Sequence, residues 1–119
     1  MVNQVRTLNN LVLTVDFGSI LRRGQQFEQS IETVYHDSFM NEYEYWLTNQ
    51  AYPIRGSEYT FLFPLTRPYK SFDCTIKRGV QEISYNARTE TGKQNGRSYF
   101  AIYFDKLNAH ENVKINWHW

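Results

Sequence analysis

Val113-Lys114-Ile115-Asn116-Trp117-His118-Trp119 alternates apolar and polar side chains along its whole length. Successive side chains of an extended chain point to opposite faces, so Val113, Ile115, Trp117 and Trp119 form one apolar row and Lys114, Asn116 and His118 a polar one. A helix would scatter the same residues around its surface. The segment therefore reads as a strand with one face on a core and the other in water.

The same period recurs earlier in the chain. Tyr99, Ala101 and Tyr103 form one face and Phe100, Ile102 and Phe104 its back, and Gln81, Ile83 and Tyr85 form another row. Phe72, Cys74 and Ile76 alternate with Asp73, Thr75 and Lys77 until Arg78-Gly79, and Tyr59, Phe61 and Phe63 alternate with Thr60 and Leu62 until Pro64. Near the start, Leu11, Leu13, Val15 and Phe17 oppose Val12, Thr14 and Asp16, with Gly18 as the breaker. Turns are expected at 66–70, 78–79 and 105–111, with a ten-residue polar loop over 88–97 that contains Asn95-Gly96.

Residues 26–50 satisfy two periods at once. Phe27, Ile31, Val34, Tyr35 and Phe39 recur at helical spacing, yet Phe27, Gln29, Ile31, Thr33 and Tyr35 also alternate. Asn41 followed by Glu44 has the form of a capping box, whereas Glu42-Tyr43-Glu44-Tyr45 alternates. The reading adopted is a strand near 27–35 and a short helix within 38–49. The expected fold is mainly β, with six to eight antiparallel strands in a sandwich or small barrel; the alternative is α+β with a helix across 26–49.

Composition narrows the function classes. At 119 residues the chain has room for a single domain over 1–119, with 41% apolar and 21% charged residues. Its 8 Phe, 9 Tyr and 3 Trp are a high aromatic load for a hydrophilic chain, suited to strands, interfaces and stacking surfaces. A net charge of +1 provides no overall field for nucleic acid or an anionic membrane. Residues 1–10 are polar where a secretory signal needs an apolar run, and no stretch is apolar enough to span a membrane, so the expectation is a soluble cytoplasmic, intracellular or virion protein without a membrane partner. The single cysteine, Cys74, rules out an internal disulfide framework.

The chemical motifs are few. There is no Gly-x-Ser-x-Gly elbow, and neither a P-loop nor a Gly-x-Gly-x-x-Gly turn occurs. Cys74 shares an apolar row with Phe72 and Ile76, the setting of an inert structural thiol. His36-Asp37 and His110-Glu111 are adjacent pairs, which a strand sends to opposite faces, so no metal site and no cofactor are expected. Glu42 and Glu44 would share a strand face, but read as a solvated edge beside Tyr43 and Tyr45 rather than a catalytic carboxylate pair. No enzyme activity is expected.

Two short stretches resemble known families. Arg97-Ser98-Tyr99-Phe100-Ala101-Ile102-Tyr103-Phe104 resembles the RNP1 strand of RNA-recognition motifs in its mix of basic and aromatic residues, with Ser98 at the family's Gly and the order at Phe100-Ala101 reversed. Residues 85–99 are similar in spacing to the calcium-loop hairpin of the LecA-type galactose lectins, with Thr91, Asn95 and Tyr99 at matching positions. Ala87 stands at that family's acid and Gln94 at an Asn.

The expected function is a non-enzymatic protein-interaction or assembly module, such as a viral or phage structural subunit or a small inhibitor, bound to another protein or to itself. Glycan binding by a β-sandwich lectin is the alternative, and single-stranded nucleic-acid binding through Arg88, Lys93 and Arg97 the second. The candidate binding residues are Tyr43, Tyr45, Trp46, Arg88, Asn95, Arg97 and Trp119.

Overall fold

A computed structural model describes residues 2–6, 11–15, 22–26, 28, 30–36, 39–85 and 87–119, with no helix among them. The chain divides into two compact units, Met1–Tyr35 and His36–Trp119. In the first, β1 (Val2–Arg6) and β2 (Leu11–Val15) form an antiparallel pair with Val2 opposite Val15 and Arg6 opposite Leu11. The expected strand near Leu11 is thus present; its end at Asp16–Phe17 and the breaker Gly18 lie outside the described residues.

The second unit is a sandwich of seven antiparallel strands in two sheets, with no closed barrel. Its strands are β3 (Tyr43–Leu47), β4 (Ile54–Leu62), β5 (Ser71–Arg78), β6 (Gln81–Ser84), β7 (Arg88–Gln94), β8 (Arg97–Leu107) and β9 (Asn112–His118). One sheet has the order β3-β9-β5-β6, the other β4-β8-β7.

The alternation that defines β9 sets the layers. Val113, Ile115 and Trp117 are buried, as are Cys74 and Ile76 on β5 and Phe100, Ile102 and Phe104 on β8. Rings from the two sheets meet between them: Phe72 stacks on Phe100 at 4.2 Å, and Trp46 packs on Tyr59 and Phe61 at 5.4 and 5.6 Å. Such pairs add attraction beyond the burial of their area. On β8 two rows of the sequence are apolar; the core takes the Phe100 row and leaves Tyr99 and Tyr103 half-buried on the outer face, with Ala101 covered between them.

Three sequence expectations are corrected. There is no helix within 38–49 or across 26–49 among the described residues: Tyr43–Leu47 is a strand paired with β9, Tyr43 opposite His118 and Leu47 opposite Lys114. The Asn41 N–H does donate to Glu44 Oε1 at 2.8 Å, the reciprocal bond of a capping box, but the chain it closes is extended. Pairing to β9 and burial of Trp46 override the local signal, as tertiary contacts commonly do.

Nor do the described residues of 27–35 form the expected strand. Phe27 and Gln29 lie outside the described residues, and 28 and 30–35 are irregular, with Ile31, Val34 and Tyr35 exposed. Finally, 88–97 is not a loop. Arg88–Gln94 is β7, and Asn95-Gly96, at φ 52° and 80°, is a two-residue turn that places Gln94 opposite Arg97. Two consecutive positive φ values are what a type I′ hairpin turn requires, and Asn-Gly supplies them at low strain. No helix of the described residues is long and apolar enough to cross a membrane.

Candidate binding surface

In the two sheets of the sandwich four strands form edges: β3, β6, β4 and β7. An open edge presents unpaired N–H and C=O groups, which proteins protect with short strands, charges, kinks or prolines. β6 has only four residues. β7 carries Arg88, Glu90 and Lys93, and β4 carries Arg55 and Glu58 and is kinked by Gly56 at φ 68°. β3, Tyr-Glu-Tyr-Trp-Leu, has one charge, Glu44, and that carboxylate is engaged by the Asn41 N–H.

Hydrogen-bond alternation fixes the direction of each β3 residue. Thr48 donates to Val113 O at 2.9 Å and Trp119 donates to Glu42 O at 3.1 Å. Bonded pairs in an antiparallel ladder recur every second residue, so Glu44 and Trp46 direct their backbone groups to β9, and Tyr43, Tyr45 and Leu47 direct theirs to the free edge. The side chains of the same three residues lie on the outer face and are 71%, 57% and 43% exposed, with Met40 at 77% just before them. Backbone edge and apolar surface therefore coincide on three residues.

Beside this stripe the outer face is polar. Tyr43 stacks on His118 at 4.3 Å, and His118 Nε2 lies 2.7 Å from Glu42 Oε1, an interaction that lowers the Glu42 pKa. Lys114 Nζ sits 5.0 Å from the Tyr45 ring centre, and Asn116 Nδ2 donates to Asp73 Oδ1 at 2.8 Å. A shallow groove of about 350 Å³ runs over Tyr43, Tyr45, Ser71, Asp73, Asn116 and His118.

The other expected residues do not join this surface. Trp46 faces inward, half-buried against Tyr59 and Phe61. Trp119 closes one end of the sandwich: Arg67 lies 3.7 Å over its ring, its Nε1 donates to Asn41 O at 2.7 Å, and it packs on Phe63 at 5.6 Å. The same Arg67 donates to the carbonyls of Phe39 and Asn41, which fixes the approach to β3.

Arg88, Asn95 and Arg97 belong to the β7–β8 hairpin, with Arg88 about 20 Å along β7 from the turn that holds Asn95. Arg88 rests over the Tyr103 ring at 4.9 Å, and Arg97 Nε donates to Phe63 O at 3.1 Å. Between them Glu90 accepts from Tyr99 at 2.9 Å and Tyr103 at 3.1 Å, which pushes the Tyr103 phenol up to about 12. Gly92 leaves room for the Tyr99 ring, whose hydroxyl would lie 3.0 Å from an added Cβ.

Cys74 lines a second cleft, of about 550 Å³, with Phe72, Tyr85, Ala87 and Ile102. Burial, with Asp73 adding to it, raises its thiol to about 11. Among the described residues no group of three or more His, Cys, Asp or Glu side chains is placed to hold a metal ion.

His118, Asn116, Lys114 and Asp73 carry the polar part of the surface and were not singled out from sequence. The available signal was the polar row of β9 itself, but the residues opposite Asn116, Tyr45 on β3 and Asp73 on β5, come from distant parts of the chain. No protein family, curated protein or solved structure matches this chain.

Proposed function

We propose that the chain is a non-enzymatic protein-interaction module that docks its partner along the free edge and outer face of β3. The carrying observation is that Tyr43, Tyr45 and Leu47 present edge-facing backbone groups and exposed apolar side chains together, on the one edge of the two sandwich sheets without the usual protection. A partner strand added there would bond the backbone and cover the tyrosines, combining β-augmentation with the residue type that dominates contact hot spots. A photo-crosslinking residue at position 45 should form protein adducts in the cell that expresses the chain, and one at Val80, on the β5–β6 turn, should not. Equal labelling at both positions, or none at 45, would refute the reading.

Glycan binding is the second reading, favoured by the groove beside the stripe. The Asn116–Asp73 bond holds two planar polar groups in place, and Tyr45 flanks them. Sugar hydroxyls both donate and accept, so such a pair can serve adjacent hydroxyls while a ring covers the apolar sugar face. A glycan array showing no hit that Asn116→Ala abolishes would remove this reading.

A further inference from the structure

We infer that Asn95, in the turn of the β7–β8 hairpin, is a site of spontaneous covalent modification, its side-chain amide being converted to a carboxylate through a cyclic imide closed by the Gly96 nitrogen. The Gly96 backbone nitrogen attacks Asn95 Cγ and forms the new N–Cγ bond. The Cγ–Nδ2 bond breaks, and Nδ2 leaves as ammonia with the proton from the Gly96 amide. Water then opens the ring at one of its two carbonyls. Opening at Cγ leaves an aspartate; opening at the main-chain carbonyl leaves an isoaspartate, in which the chain runs through Cγ.

Three observations select this residue. Asn95 is the one asparagine of the chain followed by glycine, the neighbour with no Cβ to obstruct approach of its nitrogen. Asn95 and Gly96 are both exposed. Other asparagines are held or hindered: Asn108 and Asn116 donate Nδ2 to Glu111 and Asp73, and Asn112 precedes the branched Val113. Finally, the turn has a side that can open. β8 is paired with β4 and Arg97 Nε donates to Phe63 O at 3.1 Å, whereas β7 is the edge of its sheet and pairs with β8 alone.

The closed turn sets the rate. Ring closure needs rotation about the Asn95 Cα–C bond until the Gly96 nitrogen faces Cγ, and a two-residue turn at φ 52° and 80° does not allow that rotation while it stays paired. Conversion therefore follows the peeling of β7 from β8. The two products then differ. Aspartate tolerates the left-handed conformation, so the turn survives. Isoaspartate lengthens the main chain by one methylene, and the turn no longer sets Gln94 opposite Arg97. Either product adds one carboxylate and takes the formal net charge from +1 to zero, where proteins associate more readily.

The test incubates the full chain at mildly alkaline pH, folded and in urea, and follows every asparagine by peptide mass mapping and isoaspartate by enzymatic methylation. In the folded chain Asn95 should be the first asparagine to convert, at least about tenfold more slowly than in urea, the factor contributed by opening of the turn. The Asn95→Asp chain should keep the Arg97 amide protected from exchange, and the isoaspartyl form, isolated by ion exchange, should lose that protection. Earlier conversion of another asparagine in the folded chain would overturn the inference. So would equal rates in the folded chain and in urea, or an Arg97 amide still protected in the isoaspartyl form. Conversion about a thousandfold slower than in urea would also overturn it, because that factor marks reaction through global unfolding alone.

Discussion

Replacing Phe100 by Ala should be among the most damaging single changes in the sandwich. Phe100 is fully buried and is surrounded by Phe72 at 4.2 Å, Phe61 at 5.0 Å, Tyr69 at 5.2 Å and Phe63 at 5.6 Å. Removing the ring loses its transfer free energy and leaves a cavity, together about 3–5 kcal/mol for Phe→Ala. The surrounding rings are attached to β4, β5 and the connections after β4, and Tyr69 also donates to Tyr99 O, so collapse into the void is restricted. The expected cost is about 4 kcal/mol, a large share of the roughly 5–15 kcal/mol that holds a domain folded. With a urea m-value of about 2 kcal/mol per molar, the unfolding midpoint should fall by about 2 M. Tyr103→Ala, on the opposite face of the same strand, should cost less than half as much. Equal costs, or a Phe100→Ala cost below about 1 kcal/mol, would refute the assignment of the inward row of β8.

Tyr43→Ala combined with Tyr45→Ala should weaken partner binding by at least about thirtyfold, the loss of one hot spot of about 2 kcal/mol, measured by titration calorimetry. Both side chains are exposed in the free chain, so its stability should change by about 0.5 kcal/mol or less. Glu90→Gln should lower the Tyr103 titration seen by ultraviolet absorbance. The folded state raises this phenol above its unfolded value of 10.0, so its contribution to stability is complete below pH 10 and is lost as pH rises towards about 12; Glu90→Gln should flatten that loss. Cys74 should resist a thiol reagent in the folded chain at pH 8 and react fully in denaturant, because the raised pKa leaves little thiolate and burial limits access. Gly92→Ala should push the Tyr99 ring aside and weaken its bond to Glu90, read as a drop in the Tyr99 pKa, which that bond raises.

The fold was most legible where one face is apolar and the other polar. β9 and β5 announce themselves by strict alternation, and their apolar rows are the core. β8 was legible as a strand but not as to its inward face, because Tyr99-Ala101-Tyr103 and Phe100-Ile102-Phe104 are both apolar enough to pack. β7 was hidden: Arg-Thr-Glu-Thr-Gly-Lys-Gln has no apolar row, since an edge strand over solvent needs none, and only the Asn95-Gly96 turn marked its hairpin. β3 carried a correct alternation and a misleading capping box, and long-range pairing with β9 decided between them. Tyr43 and Tyr45 stood out from sequence because they are aromatic beside acids. Their polar neighbours depend on strand order, which local periodicity does not encode.

Residue-resolved amide exchange across β3 tests the central claim most directly, because the strand's two sets of amides have different partners. In dilute solution the Tyr43, Tyr45 and Leu47 amides should exchange rapidly, while those of Glu44 and Trp46, bonded to β9, are protected. When the partner docks, the Tyr43, Tyr45 and Leu47 amides should become protected as well. Protection of all five in the dilute chain would mean that the edge is already covered, and rapid exchange at Tyr43, Tyr45 and Leu47 in the bound state would place the interaction on another surface; either result would contradict the account.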